Sequence, residues 1–426
     1  MDELKPGPRQ LLQELFQTAV DAAHPELTLP AALPQPPKGR TVVIGAGKGA
    51  AQLAQTFEHH WSGPFEGFVV TRYGFGVPCD RFEVVEAAHP IPDVAGQKAA
   101  ERMLSMVQGL REYDLVIALV CGGGSALLPM PPDGFTLEDE QLLCRALLHS
   151  GMPIRGMNAV RKHFSGIKGG RLAQAAAPAR VVSLVVSDVP GDDPSEVASG
   201  PTVPGSATRA EALDWMARYD LNLPEQLEQA IATAPEAPRP DDPVFARNTV
   251  SLLASANRSL EAAADLARSR GLPAVILSDS MEGEARELGR VSATIAREVA
   301  TKNRPFKSPI VLLSGGEATV TLRQNGRGGP NGEFILALAL SLKGVSGITA
   351  LAADTDGIDG SEDNAGAFAD AGTISRIREA GQDPQALLDR NDSWTAFQAA
   401  DDLFTPGPTG TNVNDFRAIL IDTCKV

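Results

Sequence analysis

The chain has 426 residues, of which 43% are hydrophobic and 21% charged, so it is long and apolar enough for a sizeable folded core and too apolar for a disordered chain. Its net charge of −15 (38 Lys+Arg against 53 Asp+Glu) argues against a protein that binds the nucleic-acid backbone. No apolar run approaches the roughly 18 residues of a membrane span, and the charged residues 1–5 do not resemble a signal segment. We therefore predict a cytoplasmic protein that binds neither nucleic acid nor membrane.

The first strand predicted, 41–44, leads into the turn Gly45-Ala46-Gly47-Lys48-Gly49-Ala50 and then a helical pattern. The spacing G-x-G-x-x-A is typical of turns that admit an anion to a helix N-terminus. The next strand, 67–72, lacks the acid that would bind the ribose of NAD and contains Arg72 instead, which leaves an NADP site open. Lys48 inside the turn suits a phosphate or a carboxylate, although a solvent-facing lysine remains an alternative.

Another buried strand, 115–120, ends in Cys121-Gly122-Gly123-Gly124-Ser125. Consecutive backbone N–H groups with the Ser125 hydroxyl form a nest for an anion, so Gly122, Gly123 and Gly124 predict a ligand loop rather than a flexible turn. His89 precedes a proline, and two interpretations stay open for it, a structural histidine or a residue that lines the site.

Residues 157–172 show apolar positions at helical spacing, namely Val160, Phe164 and Ile167. We predict a helix here with Asn158 as its N-cap. Its other faces carry Arg161, Lys168 and Arg171, a basic stripe in an otherwise acidic protein.

A mostly apolar strand, 181–186, is followed by a loop with four carboxylates and four hydroxyl residues between 187 and 202. Ligands of open α/β sheets bind past the carboxyl ends of the strands. The loop therefore predicts a metal and anion site, and an acidic surface turn is the alternative. The prolines and acids of 233–243 then indicate a linker, which gives two domains, 1–237 and 244–426.

In the second half, strands 249–254, 274–278 and 309–313 precede the segment Gly326 to Glu333, which opens a helix. Glycines around Arg327 at a helix N-terminus combine a dipole, free N–H groups and a forked donor, so we predict an anion site. A strand at 349–353 ends in Asp354, Asp356 and Asp359 among glycines, the pattern of a Mg²⁺ or catalytic-base loop. A solvated acidic turn remains the alternative there.

Seven motifs in order resemble the class II glycerate kinase family, the glycerate 2-kinases with a C-terminal MOFRL domain. They are Gly45 to Lys48, Cys121 to Ala126, Asn158 to Gly170, Ser187 to Thr202, Gly326 to Glu333, Asp354 to Gly360 and Thr409 to Asp415. The resemblance implies an α/β fold of two domains, an N-terminal Rossmann-like parallel sheet and a smaller C-terminal α/β domain, with the active site in the cleft between them. It also implies ATP, Mg²⁺ and D-glycerate as small-molecule partners, and a monomer or homodimer.

Carried over to this chain, the family's functional lysine and arginine fall on Lys48 and Arg327. We expect the catalytic set to be completed by Asp188, Asp354 and Asp356, and Mg²⁺ to be held by Asp188 and Asp193. Substrate or nucleotide binding is expected from Gly45, Gly47, Gly122, Gly123, Gly124, Ser125, Asn158, Lys168, Ser199, Gly200, Gly328, Gly329, Asn331, Glu333, Thr409, Gly410, Thr411 and Asn412.

Two other functions stay open at this point. One is an NADPH-dependent hydroxypyruvate reductase, which would use Gly45, Gly47 and Arg72 but lacks a clear histidine–acid pair for hydride transfer. The other is a sugar-acid or nucleotide binding protein without catalysis, which would explain the glycines but not the acidic loops. The sequence does not distinguish 2- from 3-phosphoglycerate as the product.

Overall fold

The structure is a computed structural model that describes residues 7–422. Residues 1–6, on which the expectation of no signal segment rests, lie outside the described residues, as do 423–426. The chain divides into two compact units. We call residues 25–253 the N unit, and residues 7–24 together with 254–422 the C unit.

This division differs from the boundary predicted from the sequence at both ends. The first helix, α1 (Pro8–Ala23), lies in the C unit because its apolar face, including Leu12 and Phe16, is buried against Phe404 and Phe416. The N unit in turn extends beyond the predicted linker. Residues 249–254 form an edge strand of its sheet, so the proline-rich segment lies inside the unit rather than between two.

The N unit contains six strands and nine α-helices among its described residues. The strands are β1 (Thr41–Ala46), β2 (Glu66–Arg72), β3 (Phe82–Ala87), β4 (Leu115–Val120), β5 (Arg180–Val186) and β6 (Thr249–Ala254). The helices are α2 (Pro25–Thr28), α3 (Ala50–His60), α4 (Val94–Val107), α5 (Gly124–Leu127), α6 (Leu137–His149), α7 (Ile154–Lys162), α8 (Arg171–Ala175), α9 (Arg209–Arg218) and α10 (Glu225–Thr233).

The sheet of the N unit has the strand order β3-β2-β1-β4-β5-β6, and its first five strands are parallel. Every residue of β1 and β4 is buried, which explains their unbroken apolar sequences. The order reverses direction between β1 and β4. In open α/β sheets such a switch point is where ligands bind, so the loops that follow these two strands are the place to look for a site.

The C unit contains eight strands and seven α-helices among its described residues, α1 included. The strands are β7 (Ala274–Ser278), β8 (Gly283–Glu284), β9 (Ile310–Gly316), β10 (Ala318–Thr319), β11 (Ile348–Asp354), β12 (Gly366–Asp370), β13 (Leu403–Phe404) and β14 (Asp415–Ile421). The helices after α1 are α11 (Ala256–Ser269), α12 (Ala285–Lys302), α13 (Pro330–Leu342), α14 (Thr373–Glu379), α15 (Pro384–Asp389) and α16 (Ser393–Ala400).

The main sheet of the C unit is mixed, with the order β13-β12-β11-β14-β9-β7. Strand β14 runs antiparallel to both of its neighbours, β11 and β9. Asp415 at its start therefore lies opposite Asp354 at the end of β11 and opposite Gly316 at the end of β9. The acidic loop predicted from the sequence therefore lies where β11 and β9 end and β14 begins. None of the helices within 7–422 combines the length and apolar character needed to cross a membrane.

Candidate active site

The turn after β1 fixes the backbone of Lys48 at the switch point. Its N–H donates to the carbonyl of Gly122 at 2.8 Å, and its own carbonyl accepts from Thr71 Oγ1 at 3.0 Å. Gly47 has φ +136°, and a Cβ there would overlap the carbonyl and sulfur of Cys121. The loops after β1 and β4 are thus packed on each other, and Lys48 is held from both sides.

Asp188, which follows β5, lies over the same loops. A Cβ on Gly122 would overlap its Oδ2, so only glycine fits beneath this carboxylate. Burial raises the pKa of Asp188, and the positive charge of Lys48 opposes that rise. The predicted lysine and aspartate are therefore brought together above the glycine loop.

His89 also lies beside Lys48, and we call Lys48, Asp188 and His89 the cluster. A Cβ on Gly123 would lie 3.1 Å from Lys48 Cγ and 3.3 Å from the His89 ring. The pKa of His89 falls to about 4, mainly through burial and further through the charges of Lys48, Arg72 and Arg161. The imidazole is consequently neutral at physiological pH.

Three cations therefore converge on a neutral histidine. Carboxylates lie near two of the three cations, because Lys48 interacts electrostatically with Asp188 and Arg161 with Glu140. In a protein with a net charge of −15, three cations near two carboxylates leave an excess of positive charge at one place, which an anionic ligand would complement. The sequence analysis noticed each residue but could not bring them together, because they follow different strands and helices.

Asn158, Ser199 and Ser125 form one hydrogen-bonded chain beside this cluster. Ser199 Oγ donates to Asn158 Oδ1 at 2.8 Å and lies 2.8 Å from Ser125 Oγ. Asn158 Nδ2 donates to the carbonyl and the carboxylate of Glu196. The prediction that Asn158 caps its helix is wrong: it lies inside α7, whose N-cap position is held by Pro153.

The turn that carries Ser199 has a strained backbone. Ala198, Ser199 and Gly200 all have positive φ, at 54°, 59° and 60°. For residues other than glycine this region costs roughly 1–3 kcal/mol each, and it persists only where the surroundings enforce it. Ser199 is fully buried, and a side chain on Gly200 would overlap the carbonyl of Ser195, so both are fixed by packing.

Two of the predicted binding glycines have packing roles instead. Gly45 lies within β1, where a Cβ would come within 2.9 Å of both Leu119 O and Val69 Cγ1 on the neighbouring strands. Gly124 opens α5, and a Cβ there would lie 2.7 Å from Ala198 Cβ. Both glycines thus permit close approach of neighbouring segments, and ligand binding by their backbone N–H groups stays a prediction.

Lys168 is engaged within the protein rather than free for a ligand. Its ammonium donates to Glu140 at 2.8 Å and to the carbonyl of Leu128 at 3.0 Å, and it is almost fully buried. The predicted helix is also wrong beyond residue 162, because α7 ends there and Arg171 donates back to the carbonyl of Lys162. The basic stripe therefore does not form, although Arg161 does reach the cluster at His89.

Asp193, predicted as a metal ligand, is exposed, and its Oδ1 accepts the N–H of Ser195 at 2.9 Å. No group of three or more His, Cys, Asp or Glu side chains within the described residues is arranged to hold a metal ion. Mg²⁺ commonly binds through one or two carboxylates and completes its shell with phosphate oxygens and water. Asp188, half-buried beside Lys48, fits that limited role.

In the C unit, Arg327 is exposed but held in place. Its guanidinium lies 3.9 Å above the ring of Trp394 and donates to Thr395 Oγ1 at 3.1 Å. The backbone of the same turn is fixed by the Trp394 N–H, which donates to the Arg327 carbonyl at 3.1 Å. Gly328 has φ +124°, and a side chain there would overlap Ser393 Oγ. The guanidinium is therefore presented on an aromatic platform.

The helix N-terminus next to Arg327 is not free, which corrects the anion site predicted there. Asp359 accepts the backbone N–H groups of Asn331 at 2.9 Å and Gly332 at 2.7 Å. Burial raises the pKa of Asp359 to about 7 despite these two bonds. Gly329 packs against Asp359 so closely that a Cβ would lie 2.5 Å from its Oδ1. The protein's own carboxylate thus fills the position expected for a ligand.

Two more predicted binding residues are buried by distant partners. Glu333 accepts from Arg286 Nε at 2.7 Å and from Asn391 Nδ2 at 2.8 Å. Asn331 Nδ2 donates to Asp415 at 2.6 Å. Both side chains are at most 1% exposed, so their contacts are internal to the C unit.

Asp354 and Asp356 lie together at the end of β11. Asp354 Oδ1 accepts the N–H of Asp356 at 2.9 Å, and Asp356 Oδ1 accepts that of Ile358 at 2.9 Å. Burial, followed by the charges of Asp356 and Asp415, raises the pKa of Asp354 well above its usual range. A carboxylate whose pKa is raised is a stronger base than an ordinary aspartate.

The loop before β14 packs on this acidic loop. Thr409 N–H donates to the carbonyl of Asp356 at 3.2 Å, and Thr411 Oγ1 donates to the carbonyl of Ala23 at 3.1 Å. Asn412 Oδ1 accepts from Asn414 N–H at 3.0 Å, and Gly410 has φ +77°. These contacts hold the loop, and ligand binding by its residues stays a prediction.

The fold defines a class: an α/β protein of two units, the first with a Rossmann-type switch point. Comparison with known proteins gives the family. Residues 11–232 match a family described only as a domain of unknown function, DUF4147, and residues 310–415 match the MOFRL family.

The chain is 39% identical over 415 residues to the D-glycerate 2-kinase of Thermotoga maritima, covering 97% of this chain and 98% of that one. A crystal structure of glycerate kinase from that organism superposes with a TM-score of 0.85 at 38% identity, covering 97% and 99% of the two chains. A protein of Agrobacterium vitis, named provisionally as a hydroxypyruvate reductase, is 50% identical over 416 residues, which are 97% of this chain and 94% of that one. The chain belongs to the class II glycerate kinase family.

Proposed function

We propose that this protein is an ATP-dependent D-glycerate 2-kinase. The observation that carries the proposal is the convergence of Lys48, Arg72 and Arg161 on His89, beside a glycine loop at the switch point. Both substrates of such a kinase are anions. The similarity to glycerate 2-kinases over nearly the whole chain supports this choice of substrate.

Phosphoryl transfer depends on positioning and charge neutralisation more than on covalent chemistry. Lys48, fixed by its backbone contacts, would hold the glycerate carboxylate or the transferred phosphoryl group. The N–H groups of Gly122 to Gly124 and the Ser125 hydroxyl would cradle a phosphate. Asp188 would hold Mg²⁺, which supplies charge neutralisation at the phosphate oxygens when bound; a role for Asp193 would need the 191–194 turn to rearrange.

The C unit also carries groups that suit this chemistry. Arg327 is preorganised on Trp394 and would bind an anionic oxygen of substrate or phosphoryl group. Asp354, with its raised pKa, or Asp356 would accept the proton of the acceptor hydroxyl. Three expectations from the sequence stay predictions: the cleft location of the reaction, a monomer or homodimer, and the cytoplasm as its compartment.

The hydroxypyruvate reductase alternative has less support in the geometry. In a dinucleotide turn the second glycine leaves room for the pyrophosphate, whereas here the space beside Gly47 is filled by Cys121. The strand β2 ends at Thr71 and Arg72, without an acid for a ribose, and Thr71 is engaged with the Lys48 carbonyl. The provisional name of the Agrobacterium relative is the one observation that favours the reductase.

The test is a coupled assay that identifies the product. ATP, Mg²⁺ and D-glycerate are supplied, and product is detected through enolase alone or through enolase with phosphoglycerate mutase. A glycerate 2-kinase gives signal with enolase alone, loses it on chelation of Mg²⁺, and loses it at least 100-fold in Lys48→Met. Signal only with the mutase would identify the 3-phosphate instead, and no ADP formation at all would refute the proposal.

A further inference from the structure

Arg161 has more hydrogen-bonding capacity than the protein uses. Its Nη1 donates to Asn158 Oδ1 at 3.3 Å, and Cys144 lies close enough to interact with it. A guanidinium carries five N–H donors in a fixed fork, so most of its donors have no acceptor among the described residues. Arg161 lies in the last turn of α7 and is nonetheless half-buried.

A half-buried arginine without a carboxylate partner destabilises the folded protein unless a bound group offsets its charge and accepts its hydrogen bonds. Lys162 and Lys168, close to it in sequence, both have carboxylate partners, at 2.7 Å from Glu196 and 2.8 Å from Glu140. Arg161 lines a cavity of about 20 Å³, room for one water molecule, together with Ser125 and with Glu140, whose carboxylate is paired with Lys168. The protein therefore pairs the neighbouring ammonium groups and leaves this guanidinium unpaired.

The position of Arg161 is set by the strained turn. Its acceptor, Asn158 Oδ1, is held by Ser199 Oγ, which in turn contacts Ser125 Oγ on the glycine loop. The conformation of Ser199, at φ 59°, is what brings its hydroxyl to both partners. The chain of contacts thus links the guanidinium directly to the glycine loop.

We propose that Arg161 binds an anionic oxygen of a substrate, and that Ser199 and Asn158 position it. This inference rests on the proposed function for the identity of the ligands, which are the glycerate carboxylate and the phosphates of ATP. Carboxylate and phosphate both offer anionic oxygens, and a guanidinium binds either group through paired N–H donors. Arg161 was absent from the binding residues expected from the sequence.

The test compares Arg161→Ala with Arg155→Ala. Arg155 is an exposed arginine on the same helix, so it matches the change in charge without touching the cluster. We expect Arg161→Ala to raise one or both KM values roughly ten- to a hundredfold, the loss typical of hydrogen bonds to a charged group, and Arg155→Ala to leave both unchanged. If only the KM for glycerate rises, Arg161 binds the glycerate carboxylate; if only the KM for ATP rises, it binds the ATP phosphates. A rise in both KM values indicates that Arg161 binds the transferred phosphoryl group. Arg161→Lys, which keeps the charge, covers the case in which the alanine variant does not fold.

Positioning is tested by a double-mutant cycle. Ser199→Ala should raise the same KM severalfold in the wild-type background and have no effect in the Arg161→Ala background, because Ser199 acts through Arg161. A merely structural role would lower thermal stability in both backgrounds and leave KM unchanged in both. Equal KM effects of Ser199→Ala in both backgrounds would overturn the positioning role.

Titration calorimetry separates this inference from the proposed function. ADP, D-glycerate and inorganic phosphate are each titrated into the wild type and both arginine variants. If the protein phosphorylates no glycerate, binding of any one of these anions that is lost in Arg161→Ala and kept in Arg155→Ala still supports the inference. An active kinase whose KM and anion binding are the same in the two variants overturns it, and so does a wild type that binds none of the three.

Discussion

The carboxylate of Asp188 lies directly against Gly122, so closely that any side chain at position 122 would overlap its Oδ2. The two residues follow β5 and β4, neighbouring strands of the parallel sheet. A glycine on one loop thus makes room for a carboxylate from the next. This relationship ties the predicted metal ligand to the predicted phosphate loop.

Gly122→Ala is therefore expected to displace Asp188 and to lower kcat at least 100-fold while the protein stays folded. The reason is that the methyl group and Oδ2 cannot occupy the same space, and a charge-positioning residue of a kinase tolerates little movement. Steady-state kinetics with a melting curve check it. Gly7→Ala is the control, since no atom lies within 4 Å of a Cβ there. Full activity in Gly122→Ala would remove Asp188 from the site.

Glu333→Gln is expected to act on stability rather than on substrate binding. Breaking its buried pair with Arg286 costs up to about 3–5 kcal/mol, because Arg286 then keeps only its longer ion pair with Glu284, at 3.6 Å. Urea unfolding measures this loss. Asp265→Asn, which removes an exposed partner of Arg268, is the matched control and should change stability by less than about 1 kcal/mol. A folded Glu333→Gln protein of normal stability with a raised KM would restore Glu333 as a binding residue.

His89 should make stability depend on pH below neutrality. Its pKa is about 4 when folded and 6.5 in the unfolded chain, so the unfolded chain binds more protons between these values. The destabilisation is absent above pH 6.5, grows as pH falls, and levels off near pH 4 at about 3 kcal/mol at most.

Unfolding at pH 7 and pH 4.5 in wild type and His89→Gln tests this. The variant should lose less stability on acidification, whereas His59→Gln, at an exposed histidine, should behave as wild type. Inorganic phosphate should raise the pKa of His89, measured by NMR, because an anion offsets the charges of Lys48, Arg72 and Arg161. If the pKa of His89 were near 6.5 without ligand, its burial beside these three cations would be contradicted.

Trp394→Ala is expected to lower kcat/KM about threefold to thirtyfold, the range for loss of a cation–π contact worth about 0.5–2 kcal/mol. Trp394→Phe, which keeps a ring beneath Arg327, should lie between it and wild type. The measurement is repeated in the Arg327→Ala background, where Trp394→Ala should have no further effect. An equal loss in both backgrounds would show that Trp394 does not act through Arg327.

The sequence predicted the local features of this fold well. Unbroken apolar runs gave β1, β4 and β5, and glycine-rich turns located Lys48 and the loop at Gly122. It also placed Arg327 at the start of α13. These features depend on near neighbours in the chain, which a sequence displays directly.

What the sequence could not predict depends on distant partners. Glu333 and Lys168 look like ligand-binding residues until Arg286 and Glu140 are found beside them. The N-terminus of α13 looks free until Asp359 occupies it. A hydrophobic helix face such as that of α1 indicates burial but not against which unit, and here α1 packs in the C unit rather than in the N unit.

The most direct test of the central claim runs two assays on one preparation. ADP formation is measured with ATP, Mg²⁺ and D-glycerate, and NADPH oxidation is measured with hydroxypyruvate. The site described at Lys48 predicts turnover in the first assay alone, abolished in Lys48→Met and by chelation of Mg²⁺. Turnover in the second assay alone would contradict the kinase and place a dinucleotide at the turn after β1.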